Sequence, residues 1–204
     1  LSSFPHLSAR ALCHEMVEHS IANWNYQAKD DITCAVINVR SPKKILVVTG
    51  PPLEKENDYI LKDAVEQFDG FKAVCGGTTA KIISRETGRK VIADLKRLDK
   101  SLPCTSRMDG IDLVTEGMLT LGRVQELLEK GADPEELKVY NGATALVNAL
   151  ISSDSISFLI GTKINDAHQD PNLPAELGIR RTTIKNIVNL LDEKYLKEVN
   201  VSYI

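Results

Sequence analysis

Short apolar runs that end in small residues organise most of this chain. The first run is Ile45-Leu46-Val47-Val48, which stops at Thr49-Gly50 and two prolines. Three later runs have the same form: 73–75 before Gly-Gly-Thr-Thr, 111–114 before Thr-Glu-Gly, and 156–160 before Gly-Thr. Apolar runs of this length between turn residues are typical of buried strands.

Helical periodicity fills the stretches between these runs. Apolar residues recur at helical spacing over 54–68, 76–88, 118–128, 144–151 and 174–191. Strands that alternate with helices predict an α/β fold, with an open, mostly parallel, Rossmann-like sheet and helices on both faces. The alternating end, 199–204, predicts a half-exposed edge strand. Residues 95–110, with a proline and a glycine, are predicted to form a surface loop.

The front of the chain has a different pattern. Residues 7–22 carry apolar side chains near helical spacing. The acidic pair Asp30-Asp31 then leads into a run rich in β-branched residues, which predicts a strand over 32–40. A short polar linker follows, so we predict a helix-strand fragment in residues 1–42 and an α/β domain in residues 43–204.

Composition narrows the classes of partner. The 204 residues are 43% hydrophobic and 26% charged, which is ordinary for a soluble globular protein. The net charge of -3 and the dispersed basic residues give no reason to expect nucleic acid or an acidic membrane surface as a partner. No apolar run approaches the length of a membrane span.

The four cysteines follow neither a C-x-x-C nor a zinc-binding spacing. Most of them have apolar neighbours, so we predict buried, reduced thiols and a cytoplasmic protein. They are Cys13, Cys34, Cys75 and Cys104.

The strongest binding candidate is Gly76-Gly77-Thr78-Thr79. In open α/β sheets, ligands bind outside the carboxyl ends of the strands, and this segment follows one of those ends. Glycines let a backbone approach a ligand, and N–H groups at a helix start favour a phosphate or carboxylate. The segment matches neither G-x-G-x-x-G nor the P-loop pattern. The alternative is a tight turn with Thr78 as the N-cap.

The other strand ends supply further candidates. Glu116 is placed to accept ribose-like hydroxyls or bind a cation, or else to complement a helix dipole. His168 lies in a long polar loop and is either a general base or metal ligand, or part of a solvated loop. The predicted ligand-binding set is Thr49, Gly50, Gly76, Gly77, Thr78, Thr79, Glu116, Gly117, Gly161, Thr162, Asn165 and His168.

Three other residues have two interpretations each. Arg180 or Arg181 reaches an anion in the crevice, or both lie on a solvated helix face. Cys75 precedes a helix start, where a thiolate is stabilised, or it is simply a buried strand residue.

The front segment resembles a known family. A helix, a polar gap, Asp-Asp-Ile-Thr at 30–33 and a β-branched run are similar to the last helix and strand of the bacterial stage II sporulation protein E (SpoIIE) family. These are metal-dependent, PP2C-like serine phosphatases. The resemblance implies that Asp30 binds the Mg²⁺ or Mn²⁺ ions that activate the attacking water. From the residues alone, Asp30-Asp31 is also consistent with an acidic turn before a strand.

That resemblance covers about residues 7–40, and the family's other metal carboxylates are expected upstream of this chain. We therefore expect the fragment itself to lack phosphatase activity. Residues 45–204 resemble the carboxy-terminal extension of some SpoIIE-family phosphatases, an extension with no assigned activity.

Three functions are consistent with these patterns. The first is a regulatory module that binds a small anion or nucleotide, attached to a phosphatase acting on a phosphoprotein. The second is an independent enzyme that uses Glu116 and His168. The third is a protein-interaction or dimerisation module, so self-association stays open. We predict the first, with no cofactor assigned to the fragment.

Overall fold

The computed structural model describes residues 9–27, 29–37, 39–94, 102–163 and 174–204, with backbone alone at 174–177. The chain divides into two compact units, one ending at Ser41 and one beginning at Pro42. Within the described part of the chain, no helix is both long enough and apolar enough to cross a membrane.

The described part of the first unit contains one helix, α1 (Ala9–Ala22), and none of the side chains of this helix is buried. The strand predicted over 32–40 is wrong: the described residues of that stretch are not in a strand. A strand forms only where a neighbouring strand pairs its N–H and C=O groups, and β-branched side chains do not replace that pairing. Ile37 and Val39 are accordingly 90% and 92% exposed.

The second unit is built on one sheet. Its described strands are β1 (Lys44–Thr49), β2 (Phe71–Cys75), β3 (Ile92–Ala93), β4 (Ser106–Met108), β5 (Ile111–Thr115), β6 (Ser155–Ile160) and β7 (Glu198–Tyr203). They lie in the order β3-β4-β5-β2-β1-β6-β7. From β5 to β7 every pair is parallel, whereas β3 and β4 are antiparallel to their neighbours. The predicted open, mostly parallel sheet is confirmed, as is the edge strand at the end of the chain.

The surface loop predicted over 95–110 is wrong in its last part. Residues 106–108 form β4 and pair with β5 across a tight turn in which Gly110 has a φ of 72°. Met108 is only 4% exposed, so one apolar side chain anchors this short strand in the core. Ser-Arg-Met has no apolar run, and the hairpin depends instead on its turn and its neighbour.

Helices cover both faces of the sheet. They are a 3-10 turn (Lys55–Asn57), α2 (Asp58–Gln67), α3 (Gly77–Thr87), α4 (Met118–Glu129), α5 (Pro134–Leu137), α6 (Gly142–Ser152) and α7 (Pro174–Asn189), which continues as a π-helical turn (Leu190–Lys194). Alternate residues of β1 face opposite sides. Ile45 and Val47 join a core with α4, α6 and α7. Leu46 and Val48 join a second core with α2 and α3.

The interior strand β1 obtains its two neighbours from very different distances along the chain. Ile45 pairs with Phe71 on one side and with Ile156 on the other. Just before β1, the Lys43 N–H donates to Asp154 Oδ2 at 2.7 Å, across a sequence separation of 111 residues. The sheet therefore places a segment at the start of the second unit beside one that follows 111 residues later.

Candidate functional site

Four parallel strands end at the same level of the sheet. Thr49 is in register with Cys75 on one side and with Ile160 on the other, and Cys75 is in register with Thr115. The residues that follow therefore meet at one edge, which we call the carboxyl edge: Gly50, Gly76, Glu116, Gly117, Gly161 and Thr162. Helices α3, α4 and α7 begin after strands that end at this edge, as ligand-binding α/β sheets arrange them.

Gly50 and Gly161 form a locked pair at this edge. Gly50 has a φ of 82°, and a Cβ atom built on it would lie 2.6 Å from the Gly161 carbonyl oxygen. A Cβ atom on Gly161 would lie 2.1 Å from the Pro51 carbonyl oxygen. The Gly161 N–H donates to the Thr49 carbonyl at 2.8 Å. Backbone packing between the two loops therefore requires glycine at both positions, whether or not a ligand binds.

Gly76 and Gly77 form an open pair one strand away. Gly76 has a φ of 128° and is the N-cap of α3, with no side-chain hydrogen bond capping the helix. Gly77 is exposed, and a Cβ atom built on it would meet no atom within 4 Å. By contrast, α6 begins with a capping box in which the Asn141 side chain accepts from Ala143 and Thr144 N–H groups. The start of α3 thus lacks the cap that α6 possesses.

The two threonines after the open pair have different surroundings. Thr78 lies inside α3 and is exposed, so its predicted alternative role as the N-cap is wrong. Gly76 takes that position because its φ is one that L side chains rarely adopt. Thr79 is 1% exposed, and its Oγ1 lies 3.2 Å from the position of a Cβ on Gly76. Thr78 therefore faces solvent beside Gly77, and the buried Thr79 side chain packs against Gly76.

Glu116 is engaged at the start of the neighbouring helix. Its Oε2 accepts a hydrogen bond from the Leu119 N–H of α4 at 3.2 Å. A carboxylate in this position complements the positive end of the helix dipole, which is the alternative role that the sequence offers. A Cβ atom on Gly117 would lie 3.5 Å from the Gly76 Cα, so the starts of α3 and α4 are adjacent.

Cys75 is a fully buried strand residue. Its side chain is 0% exposed, and burial raises the pKa of the thiol to about 11, with the nearby charge of Glu116 acting in the same direction. The hydrogen bond with the Thr115 side chain lowers this pKa but does not offset burial. The thiol is therefore protonated at neutral pH, and it does not supply a thiolate to the carboxyl edge.

Arg180 brings a cation to the carboxyl edge, whereas Arg181 is exposed. The Nη1 atom of Arg180 is buried and lies 3.0 Å from the position of a Cβ on Gly50. Since Gly50 is level with Gly76 on the neighbouring strand, the guanidinium lies at the same end of the sheet as the open pair. Helix N-termini and a guanidinium both favour an anion there.

Four predicted site residues remain: Thr49, Thr162, Asn165 and His168. Thr49 is 2% exposed. Thr162 donates from its N–H and its Oγ1 to the Ile204 carbonyl, at 2.8 and 2.9 Å, so its hydroxyl proton is used inside the sheet. Asn165 and His168 lie outside the described residues.

Asp30 lies in an exposed acidic turn of the first unit. Its Oδ1 accepts a hydrogen bond from the Asp31 N–H at 2.9 Å. Across the described ranges, no group of three or more His, Cys, Asp and Glu residues is placed to hold a metal ion.

The cysteines are less buried than the sequence predicts. Only Cys75 is buried, whereas Cys13, Cys34 and Cys104 are half-buried. Apolar sequence neighbours bury a thiol only when the segment itself is packed, and the segment around Cys34 is largely exposed. Cys13 and Cys34 also lie side by side, which no local spacing in the sequence indicates.

A concave region lies on the β4–β5 hairpin, and none of the predicted site residues lines it. It has a volume of about 440 Å³ and is lined by residues that include Asp94, Arg107 and Tyr140. The Nε and Nη2 atoms of Arg107 both donate to Asp94 Oδ2, at 3.2 and 2.8 Å. Asp94 is 8% exposed, so this ion pair is partly shielded from water and fixes the end of β3 to β4.

No protein-family model matches this chain, and no curated protein matches it. Among solved structures, the chain is similar to phenylacrylic acid decarboxylase from Aquifex aeolicus, with 12% sequence identity and a TM-score of 0.29. The similarity covers 79% of this chain and 81% of that chain. So loose a superposition carries no argument about fold or chemistry, and the α/β class stated above depends on the strands and helices of this chain.

Proposed function

We propose that the unit beginning at Pro42 is a regulatory module that binds a small anion or nucleotide at its carboxyl edge. The observation that carries this proposal is the open start of α3, where Gly76 provides no side-chain cap and Gly77 borders open space. The first N–H groups of a helix have no acceptor within that helix. A phosphate or carboxylate group is the ligand that such a helix start favours.

One further feature supports an anion at this position. The Glu116 carboxylate already accepts a hydrogen bond from the Leu119 N–H at the start of α4, so the uncovered helix start is that of α3. Arg180 adds a full positive charge at the end of β1. Its guanidinium is planar and suits bidentate contacts with phosphate or carboxylate oxygens.

The proposal extends to a longer protein of which this chain would be one part. The Asp-Asp-Ile-Thr pattern at 30–33 supports a SpoIIE-family protein serine/threonine phosphatase, acting in the cytoplasm on a phosphoprotein. In the intact phosphatase, Asp30 would be one ligand of the Mg²⁺ or Mn²⁺ ions. The chain described above would itself have no phosphatase activity, and its role would be to sense the anion.

A thermal-unfolding experiment on the full chain tests the binding site. Inorganic phosphate, ATP and glucose 6-phosphate are added separately. A ligand at about 100 times its dissociation constant adds roughly 2.7 kcal/mol to the free energy of unfolding, which raises the Tm by roughly 5–10 °C. At least one of these anions should produce such a shift.

Two matched variants locate the effect. Gly77→Val places a branched side chain in the open space before α3 and should abolish the shift. Gly122→Val makes the same change in α4, where a Cβ also meets no atom within 4 Å, and should retain the shift. If no anion raises the Tm, or if both variants lose the shift equally, the proposal is wrong.

One observation favours a protein-interaction module as the second candidate. Three large apolar side chains near the carboxyl edge are exposed: Leu53 by 57%, Leu119 by 63% and Ile179 by 54%. A partner protein would cover such side chains. Sedimentation of the native chain and of Leu119→Glu tests this, because an interaction between copies at this edge would be weakened by the added charge.

A further inference from the structure

Three sulfur atoms from distant parts of the first unit lie together. The Cys13 thiol donates to the Cys34 carbonyl oxygen at 3.1 Å, across 21 residues of chain. The Cys34 Sγ lies 3.8 Å from the Met16 Sδ. Cys13 and Met16 are three residues apart on α1 and therefore share one face of that helix.

The two thiols also interact with each other. A hydrogen bond with the Cys13 side chain is the largest of the causes that raise the pKa of the Cys34 thiol. In the structure, the Cys13 thiol contacts the Cys34 carbonyl oxygen and the Cys34 Sγ contacts the Met16 Sδ, so all three sulfur-bearing side chains meet at residue 34.

The cluster is open to solvent on one side. Cys13 and Cys34 are half-buried, and the Met16 side chain is 46% exposed. An ion can thus reach the sulfurs from solution, while α1 holds two of them in fixed positions.

We propose that Cys13, Met16 and Cys34 form a three-sulfur binding site for the soft monovalent cation Cu⁺. On binding, the two thiols each release a proton and form copper–sulfur bonds as thiolates, and the thioether of Met16 donates a lone pair. One Cu⁺ enters and two H⁺ leave, so the occupied site carries a net charge of -1 and no oxidant or reductant takes part.

The donor set determines the choice of ion. Thiolate and thioether sulfur select Cu⁺, whereas carboxylate and carbonyl oxygen suit Mg²⁺ and Mn²⁺. Structural zinc sites take four ligands from Cys, His, Asp and Glu, and the described residues hold no group of three or more of these. Two sulfurs at metal–sulfur distances of about 2.3 Å from one ion stand roughly 3.8–4 Å apart, as Cys34 and Met16 already do.

A Cu⁺ titration of the 204-residue chain tests the site. The reduced protein competes anaerobically with the chromophoric chelator bicinchoninate, and the chelator absorbance gives the stoichiometry and affinity. We expect one high-affinity Cu⁺ per chain, with three sulfur neighbours by X-ray absorption spectroscopy. Far-UV circular dichroism of each variant verifies that α1 remains helical.

Matched variants identify the ligands. Removing a residue that only positions a metal ligand reduces metal affinity roughly 10–100-fold. Cys34→Ser removes a ligand itself, so it should reduce the affinity for Cu⁺ by about 100-fold or more. Met16→Leu keeps the size of the side chain but removes the sulfur, and should reduce affinity by about 10-fold. Cys104→Ser removes a half-buried thiol of the second unit and should change nothing.

Two results would overturn the proposal. Unchanged affinity in Met16→Leu, together with two sulfur neighbours, would show that the thioether is not a ligand. An equal loss of affinity in Cys104→Ser and Cys34→Ser would show that Cu⁺ binds surface thiols without a defined site.

Discussion

Two glycine pairs lie at the carboxyl edge of the sheet, and glycine has a different role in each pair. The locked pair, Gly50 and Gly161, lets two loops touch, and any side chain there would strike backbone oxygen atoms. The open pair, Gly76 and Gly77, leaves the start of a helix uncovered. A glycine at a strand end is thus evidence of ligand binding only when packing does not already require it.

The largest effect is expected at the locked pair. Gly161→Ala would place a Cβ atom 2.1 Å from the Pro51 carbonyl oxygen, and the two loops would have to separate. Overpacking of this kind typically costs 1–3 kcal/mol, and a clash with the backbone of two adjacent residues, Gly50 and Pro51, should exceed about 3 kcal/mol. Urea unfolding measures the loss. A loss below about 1 kcal/mol would mean that the loops separate easily and that the pair is not locked.

Cys75 lies directly before the open pair, and the pH dependence of unfolding shows whether water reaches its thiol in the folded protein. The pKa of Cys75 is raised from 9.0 to about 11, so the unfolded chain loses its proton at lower pH than the folded chain. Its contribution to stability is full below pH 9 and is lost as the pH rises toward 11, by roughly 2–3 kcal/mol. The pH dependence of unfolding should therefore be less steep in Cys75→Ala over this window. Equal slopes in both proteins would indicate that water reaches the native thiol.

Gly76→Ala separates backbone strain from steric collision. A φ of 128° is unfavourable for alanine, but the nearest atom to the new Cβ is the Thr79 hydroxyl oxygen at 3.2 Å, not backbone. We expect a loss of about 1–3 kcal/mol from the conformation alone. Urea unfolding should rank this variant between wild type and Gly161→Ala. A loss as large as that of Gly161→Ala would contradict the distinction between the two pairs.

The smallest effect on stability is expected at Gly77, and it is an increase, not a loss. Its Cβ would occupy open space in the first turn of α3, so Gly77→Ala should raise the free energy of unfolding by about 0.4–1 kcal/mol. The same methyl group should weaken the proposed anion site. Urea unfolding with and without inorganic phosphate measures both effects, and a destabilised variant would show that Gly77 also has a packing role.

The sequence predicts those features of the sheet that depend on local pattern. Apolar runs identify β1, β2, β5 and β6, because a strand buried on both faces has to be apolar throughout. Pairing is not local, which explains two errors. Ser106–Met108 forms a strand without an apolar run since a tight turn brings it beside β5. Residues 32–40 have the composition of a strand, but the described ones have no strand to pair with.

The candidate site also has features that follow from local sequence pattern and features that depend on contacts between distant residues. Parallel topology places the strand-end residues at one edge, and this was predictable from alternating strands and helices. The difference between the locked and open pairs depends on which backbones touch, and Gly50 touches a residue that is distant in the sequence. The neighbouring sulfurs of Cys13 and Cys34 depend on a chain reversal that no sequence spacing encodes.

The interior position of β1 has a consequence for the nascent chain. This strand acquires β2 soon after its own synthesis, but the contact between Lys43 and Asp154 spans 111 residues. At synthesis rates of about 5–20 residues per second, the second edge of β1 waits roughly 5–20 s for β6. During that interval the apolar run of β1 presents unpaired N–H and C=O groups. A strand that is buried between two neighbours in the finished sheet therefore needs protection from aggregation while the protein is being made.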